Sequence, residues 1–185
     1  MRAIPKWALW LGGALAWVAG VAFALFALSA PSRAELAFAP ERVRLACAGA
    51  APETLNGHGN AVFVPPLAEA RLRACRIEID FAVRDAALAG RAAASGYVEL
   101  LGLGLARAAF PSRFAVNGEG IALAVRDGGG LTLTLAAATL FAGERGHGAA
   151  LILAWRSGEG ADAQAFVSPT LLIERDHRRA KRMVN

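Results

Sequence analysis

Two histidines of this chain stand in the same three-residue setting, Gly57-His58-Gly59 and Gly146-His147-Gly148. Neutral imidazole ligates copper and zinc, so two such loops brought together would supply half of a metal site. Two ligands leave that site incomplete, and Glu144 is the sole carboxylate close by in sequence. Gly-His-Gly is equally the composition of an exposed turn. The sequence therefore assigns no metal ligand and no cofactor.

Other chemistry is weaker still. Ser95, Ser112, Ser157 and Ser168 sit beside Pro, Gly or Arg in turn-like settings, and no G-x-S-x-G motif occurs. Glu78 and Asp80 share one face of an alternating segment, as a carboxylate pair must, but Arg76 and Arg84 flank them. That pattern predicts a solvated, charge-balanced strand face rather than acid–base work. Gly102-Leu103-Gly104 matches part of a dinucleotide fingerprint but lacks its third glycine and its helix start, so a strand irregularity is expected. No catalytic residue is assigned, and an enzyme is not expected.

Cys47 and Cys75 are the only cysteines. Each falls on the apolar side of an alternating segment. A redox-active pair is more often C-x-x-C, and metal ligation calls for neighbouring His or Cys. In an oxidising compartment the pair predicts a structural disulfide.

The elements that would carry these residues read as strands. In Glu41–Cys47, Val43, Leu45 and Cys47 alternate with Arg42 and Arg44. In Cys75–Arg84, Cys75, Ile77, Ile79, Phe81 and Val83 oppose Arg76, Glu78, Asp80 and Arg84. Gly120–Arg126 and Leu131–Leu135 flank Asp127-Gly128-Gly129-Gly130 and predict a hairpin. Shorter candidates are Ala61–Val64, Tyr97–Leu105, Ala149–Arg156 and Ala165–Ile173, while alanine-rich Asp85–Ser95 fits a short helix or a loop. Period-2 alternation outweighs the helix propensity of the many alanines. The expected fold is mainly β, one antiparallel β-sandwich or barrel-like domain.

Ahead of that domain, the 26 residues Trp7 to Ser32 carry no charge and are bracketed by Lys6 and Arg33. From Trp7 to Ala30 a helix would measure about 36 Å at roughly 1.5 Å per residue, enough to cross a hydrocarbon core of about 30 Å. A cleavable signal peptide has a shorter apolar centre, which favours a retained transmembrane anchor. Small residues at Ala27-Leu28-Ser29 or Ser32-Arg33-Ala34 nevertheless offer a peptidase a site. Cys47 follows Arg44-Leu45-Ala46, which lacks a lipobox pattern, so lipid attachment is not expected. Arg2 and Lys6 precede the run, whereas Arg33 is soon followed by Glu35 and Glu41. The positive-inside bias then leaves the N-terminus in the cytoplasm and exports the rest, with Trp7 and Trp10 at the headgroup level. Ala8, Gly12, Ala16, Gly20 and Ala24 recur every four residues, the spacing of a helix-packing face.

Charge is unevenly placed. Residues 34–173 hold 12 basic and 13 acidic residues, while residues 174–185 hold five basic and two acidic. The net charge of +5 thus comes from the two ends. A balanced domain lacks the basic face of a nucleic-acid binder. The tail cluster Arg175, Arg178, Arg179, Lys181 and Arg182 offers attraction to anionic lipid headgroups, against the plainer expectation of a solvated terminus.

The expected organisation is a cytoplasmic N-terminus and anchor over 1–33, an exported β domain over 34–173 and a basic tail over 174–185. With a long anchor, a neutral domain and no catalytic constellation, the expectation is a periplasmic accessory, assembly or scaffold subunit of a bacterial inner-membrane complex. Its partners would be the membrane and other subunits. The alternatives are a cleaved periplasmic module binding a small ligand or glycan, and a histidine-based metal binder.

Overall fold

A computed structural model describes residues 34–103, 111–142, 145, 147–158 and 163–176. The uncharged run with its small-residue face, and Arg178, Arg179, Lys181 and Arg182, lie outside the described residues. Among the described residues no helix is long and apolar enough to cross a membrane.

The described chain is mainly β, arranged in two curled sheets. In order its elements are β1 (Ala34–Leu36), β2 (Phe38–Cys47), β3 (Glu53–Thr54), β4 (Gly57–His58), β5 (Ala61–Val64), α1 (Glu69–Arg73), β6 (Cys75–Val83), α2 (Ala86–Ser95), β7 (Tyr97–Gly102), β8 (Ser112–Ala115), β9 (Ile121–Val125), β10 (Leu131–Ala136), α3 (Ala137–Leu140), β11 (Gly148–Ser157), β12 (Gln164–Val167) and β13 (Leu171–Arg175).

The smaller sheet runs β3-β2-β6-β10-β9, all antiparallel. Its inner face is the alternation read from the sequence: Ile77, Ile79 and Phe81 lie between Val43 and Leu45 on one side and Leu131, Leu133 and Leu135 on the other. Pro40, which has no N–H to give, sits at a register shift of β2, a position that tolerates it.

The larger sheet is built on β11. One edge of β11 pairs with β7, which pairs in turn with β8. The other edge is shared by β13, opposite Gly148 to Leu151, and β12, opposite Ala154 to Ser157. Then β1 adds to β12, and β5 with β4 adds to β13. Leu100, Leu151, Leu153, Leu171 and Ile173 from this sheet join the smaller sheet's residues in a single hydrophobic core.

Three expectations need correction. The pairing is not wholly antiparallel: β1 runs parallel to β12 and β13 parallel to β5. The segment Ala165–Ile173 is two strands, not one, because Ser168-Pro169-Thr170 interrupts it and Pro169 cannot donate to a ladder. The strand β13 extends through Arg175, so this arginine belongs to the folded domain and not to a solvated tail; its guanidinium lies 4.9 Å from the Phe141 ring centroid.

The alanine-rich segment is a helix. Asp85 accepts a hydrogen bond from Ala87 N at 2.9 Å, which satisfies an otherwise orphaned first-turn donor and starts α2. Leu88, Ala89 and Ala92 form its buried face. The free edge of β9 is blocked by the preceding loop: Ile121 N donates to Gly118 O and Leu123 N to the Asn117 side chain.

Candidate functional site

Cys47 and Cys75 stand directly opposite each other on β2 and β6, with Cα atoms 4.0 Å apart, and are joined by a disulfide. Their facing positions follow from the two alternations meeting in register. Cys75 is buried, and both sulfurs pack against the core.

The two histidines are not brought together. His58 lies on β4, opposite Ala61, and counting outward from there come β5, β13 and β11. His147 precedes the first residue of β11. Three strand spacings and a shift of three residues put the two backbones about 17 Å apart. No group of three or more His, Cys, Asp or Glu able to hold a metal occurs among the described residues. Two of the glycines beside the histidines, Gly57 and Gly148, have another explanation. A Cβ on Gly57 would stand 2.7 Å from Ala61 O, and one on Gly148 would stand 2.7 Å from Ile173 O. Both are glycine because a backbone oxygen occupies the side-chain position.

Asp80 departs from the solvated face expected of it. It is 2 % exposed although it points away from the core. Its Oδ1 accepts from Thr132 Oγ1 at 2.8 Å and from Arg44 Nη2 at 3.3 Å, and its Oδ2 lies 3.8 Å from Arg126 Nη1. Arg44 also pairs with Glu78, and Arg126 donates to Glu41 Oε2 at 2.6 Å. That hydrogen bond to Glu41, with the fields of Asp80 and Glu41, raises the Arg126 guanidinium above its ordinary range. The balancing cations thus come from neighbouring strands and not from Arg76 and Arg84; Arg84 pairs with Glu35. A carboxylate covered by two guanidiniums and a hydroxyl fastens strands together and presents no base to a substrate.

The serines are structural as well, though not all are turns. Ser112 lies on β8. Ser168 is buried between β12 and β13 and accepts from Leu153 N at 3.0 Å. Ser95, the last residue of α2, accepts from Trp155 Nε1 at 3.1 Å. Trp155 also meets the Phe166 ring at 5.5 Å and the Arg91 guanidinium at 5.2 Å from its centroid. Gly102 closes β7, and Leu103 N donates to Gly148 O, so Gly102-Leu103 continues the sheet.

Sequence reasoning missed Arg145. Its Nε donates to Leu140 O, its Nη2 to Thr139 O and its Nη1 to Ser112 Oγ. It thereby satisfies the last carbonyls of α3 and ties them to β8. Arg113 was missed too: it donates to Glu99 at 2.7 Å and lies 4.3 Å from the Tyr97 ring centroid. The Glu99 hydrogen bond outweighs burial and raises this guanidinium.

Two concavities flank the junction of β1 and β2. One, of about 290 Å³, is lined by Glu35, Arg84, Asp85, Leu88, Arg91 and Phe166. The other, of about 390 Å³, is mostly apolar, with Leu36, Ala39, Ala82, Val83 and Pro169 around it and Arg84 at its border. Periodicity does not reveal either, since each forms where chain segments from both sheets meet.

Compared with known protein families and characterised sequences, the chain matches no family model and has no significant relative.

Proposed function

We propose that this chain is a single-pass bacterial inner-membrane protein, anchored by residues 7–32, with its N-terminus in the cytoplasm. The domain from Ala34 onward is exported to the periplasm as a β-sandwich or barrel-like domain. It serves there as a non-catalytic accessory, assembly or scaffold subunit of a larger membrane complex. The observation carrying this reading is the Cys47–Cys75 disulfide in a domain that directly follows an uncharged run of spanning length. Structural disulfides persist in oxidising compartments, and the run supplies a route into one. Purification of the tagged protein from native membranes in mild detergent, with mass spectrometry of what accompanies it, tests the reading. A stoichiometric set of partners supports it. A free, soluble periplasmic monomer would sink it.

The 290 Å³ concavity favours a second reading, a cleaved periplasmic module for a small ligand or glycan. That sandwiches host such sites is an analogy at the level of fold. N-terminal sequencing of the mature chain separates the two. Ala34 pairs with Ala165, so cleavage before Glu35 would remove a strand residue. Under this reading the mature chain begins at Ala30 or Glu35.

A further inference from the structure

We infer that the apolar groove around Leu36 is a lipid-contacting surface of the domain, an inference that rests on the anchored reading. Leu36 is 67 % exposed, the highest of the exposed large hydrophobic side chains among the described residues. A lone exposed leucine is ordinary on a soluble domain. This one is continuous with a groove of about 390 Å³ formed by Ala39, Ala82, Val83 and Pro169. The bordering charge, Arg84, is paired with Glu35 and so adds no unbalanced attraction for an ionic partner. Contiguous apolar surface with a polar border marks a contact site for protein or membrane. The length of chain decides between them. Leu36 follows Ser32, the last residue of the uncharged run, by four residues, which span at most about 14 Å when fully extended. In an anchored chain the groove therefore cannot leave the neighbourhood of the headgroups, and lipid is the occupant always within reach.

The test uses the full-length protein reconstituted in phosphatidylethanolamine–phosphatidylglycerol vesicles. Spin labels are placed through Leu36→Cys, Ala39→Cys and, as a reference on β3, Glu53→Cys. Ala39 and Glu53 are exposed, so labelling does not depend on opening the core. Collision with oxygen is compared with collision with a water-soluble nickel chelate. The expected result is an oxygen-to-nickel ratio several-fold higher at positions 36 and 39 than at 53. Equal ratios at all three would overturn the inference while leaving the anchor intact. Labels at 36 and 39 shielded from both reagents would also overturn it, placing a second copy of the chain on the groove. Alkaline extraction of the same vesicles reads the anchor separately: release of the chain into the supernatant refutes the anchored reading and this inference together.

Discussion

Arg126, just beyond the end of β9, reaches over the intervening β10 to bring Nη1 within 3.8 Å of Asp80 Oδ2 on β6. Arg44 on β2 closes on the same carboxylate from the other side. Four neighbouring strands are thereby laced together on their outward face around one buried negative charge.

Removing that charge leaves two guanidiniums facing each other. Breaking a fully buried pair costs about 3–5 kcal/mol, but Arg44 and Arg126 keep 28 % and 38 % side-chain exposure and can rehydrate. With that screening, Asp80→Ala is expected to destabilise the domain by about 2 kcal/mol. The shift in urea midpoint at unchanged slope measures it. A change within error would show that the lacing carries no weight.

The disulfide closes a loop with a sequence separation of 28 residues. In the chain-entropy account such a closure stabilises by roughly 3–4 kcal/mol. The Cys47→Ala, Cys75→Ala double variant should lose that much in chemical denaturation. Mobility on non-reducing against reducing gels confirms the bond in the parent.

Substitutions in the two Gly-His-Gly segments should separate backbone need from histidine chemistry. Gly148→Ala drives a methyl into Ile173 O and crowds Glu174 Cα at 3.1 Å, so a loss of about 2–3 kcal/mol is expected. His58→Ala, at an exposed position on β4, should change stability by less than about 0.5 kcal/mol. Thermal melts of the two variants side by side decide the matter; the reverse order would reinstate the histidine as the reason for the motif.

Arg145→Ala strips α3 of its carbonyl partners and frees β8 from them. The expected cost is about 1–2 kcal/mol for several charge-assisted hydrogen bonds at a partly exposed site. Hydrogen exchange resolved by peptide should show faster exchange at Ser112–Ala115 and Ala137–Leu140, with β6 and β10 unaffected.

What could be read from sequence follows the period of the side chains. Cys75, Ile77, Ile79 and Phe81 announce β6 because alternate positions face one core, and Cys47 meets Cys75 because both alternations end there. The hairpin around Gly128 and Gly129 was legible from composition, and both glycines adopt positive φ (87° and 84°). Asp80 was misread because its cover comes from Arg44 on the adjacent β2 and from Arg126 beyond β9, two strands away, and proximity along the chain points to neither. The short strands β1, β3, β4 and β8 have too few residues to show a period, and parallel pairing of β1 with β12 joins segments 131 positions apart at Ala34 and Ala165. Arg145 looks like any loop arginine until α3 and β8 converge on it.

The ends of the described domain leave it in opposite directions. Ala34 aligns through Ala165 with Arg156 of β11, whereas Glu174 aligns with Gly148, eight positions earlier on the same strand, or about 26 Å. Tension applied between the two ends would therefore run along the strands. It would slide β1 against β12 and β13 against β5 and β11, loading each ladder's hydrogen bonds together instead of peeling them one at a time. A domain tugged from both sides would meet that load in shear, its most resistant direction.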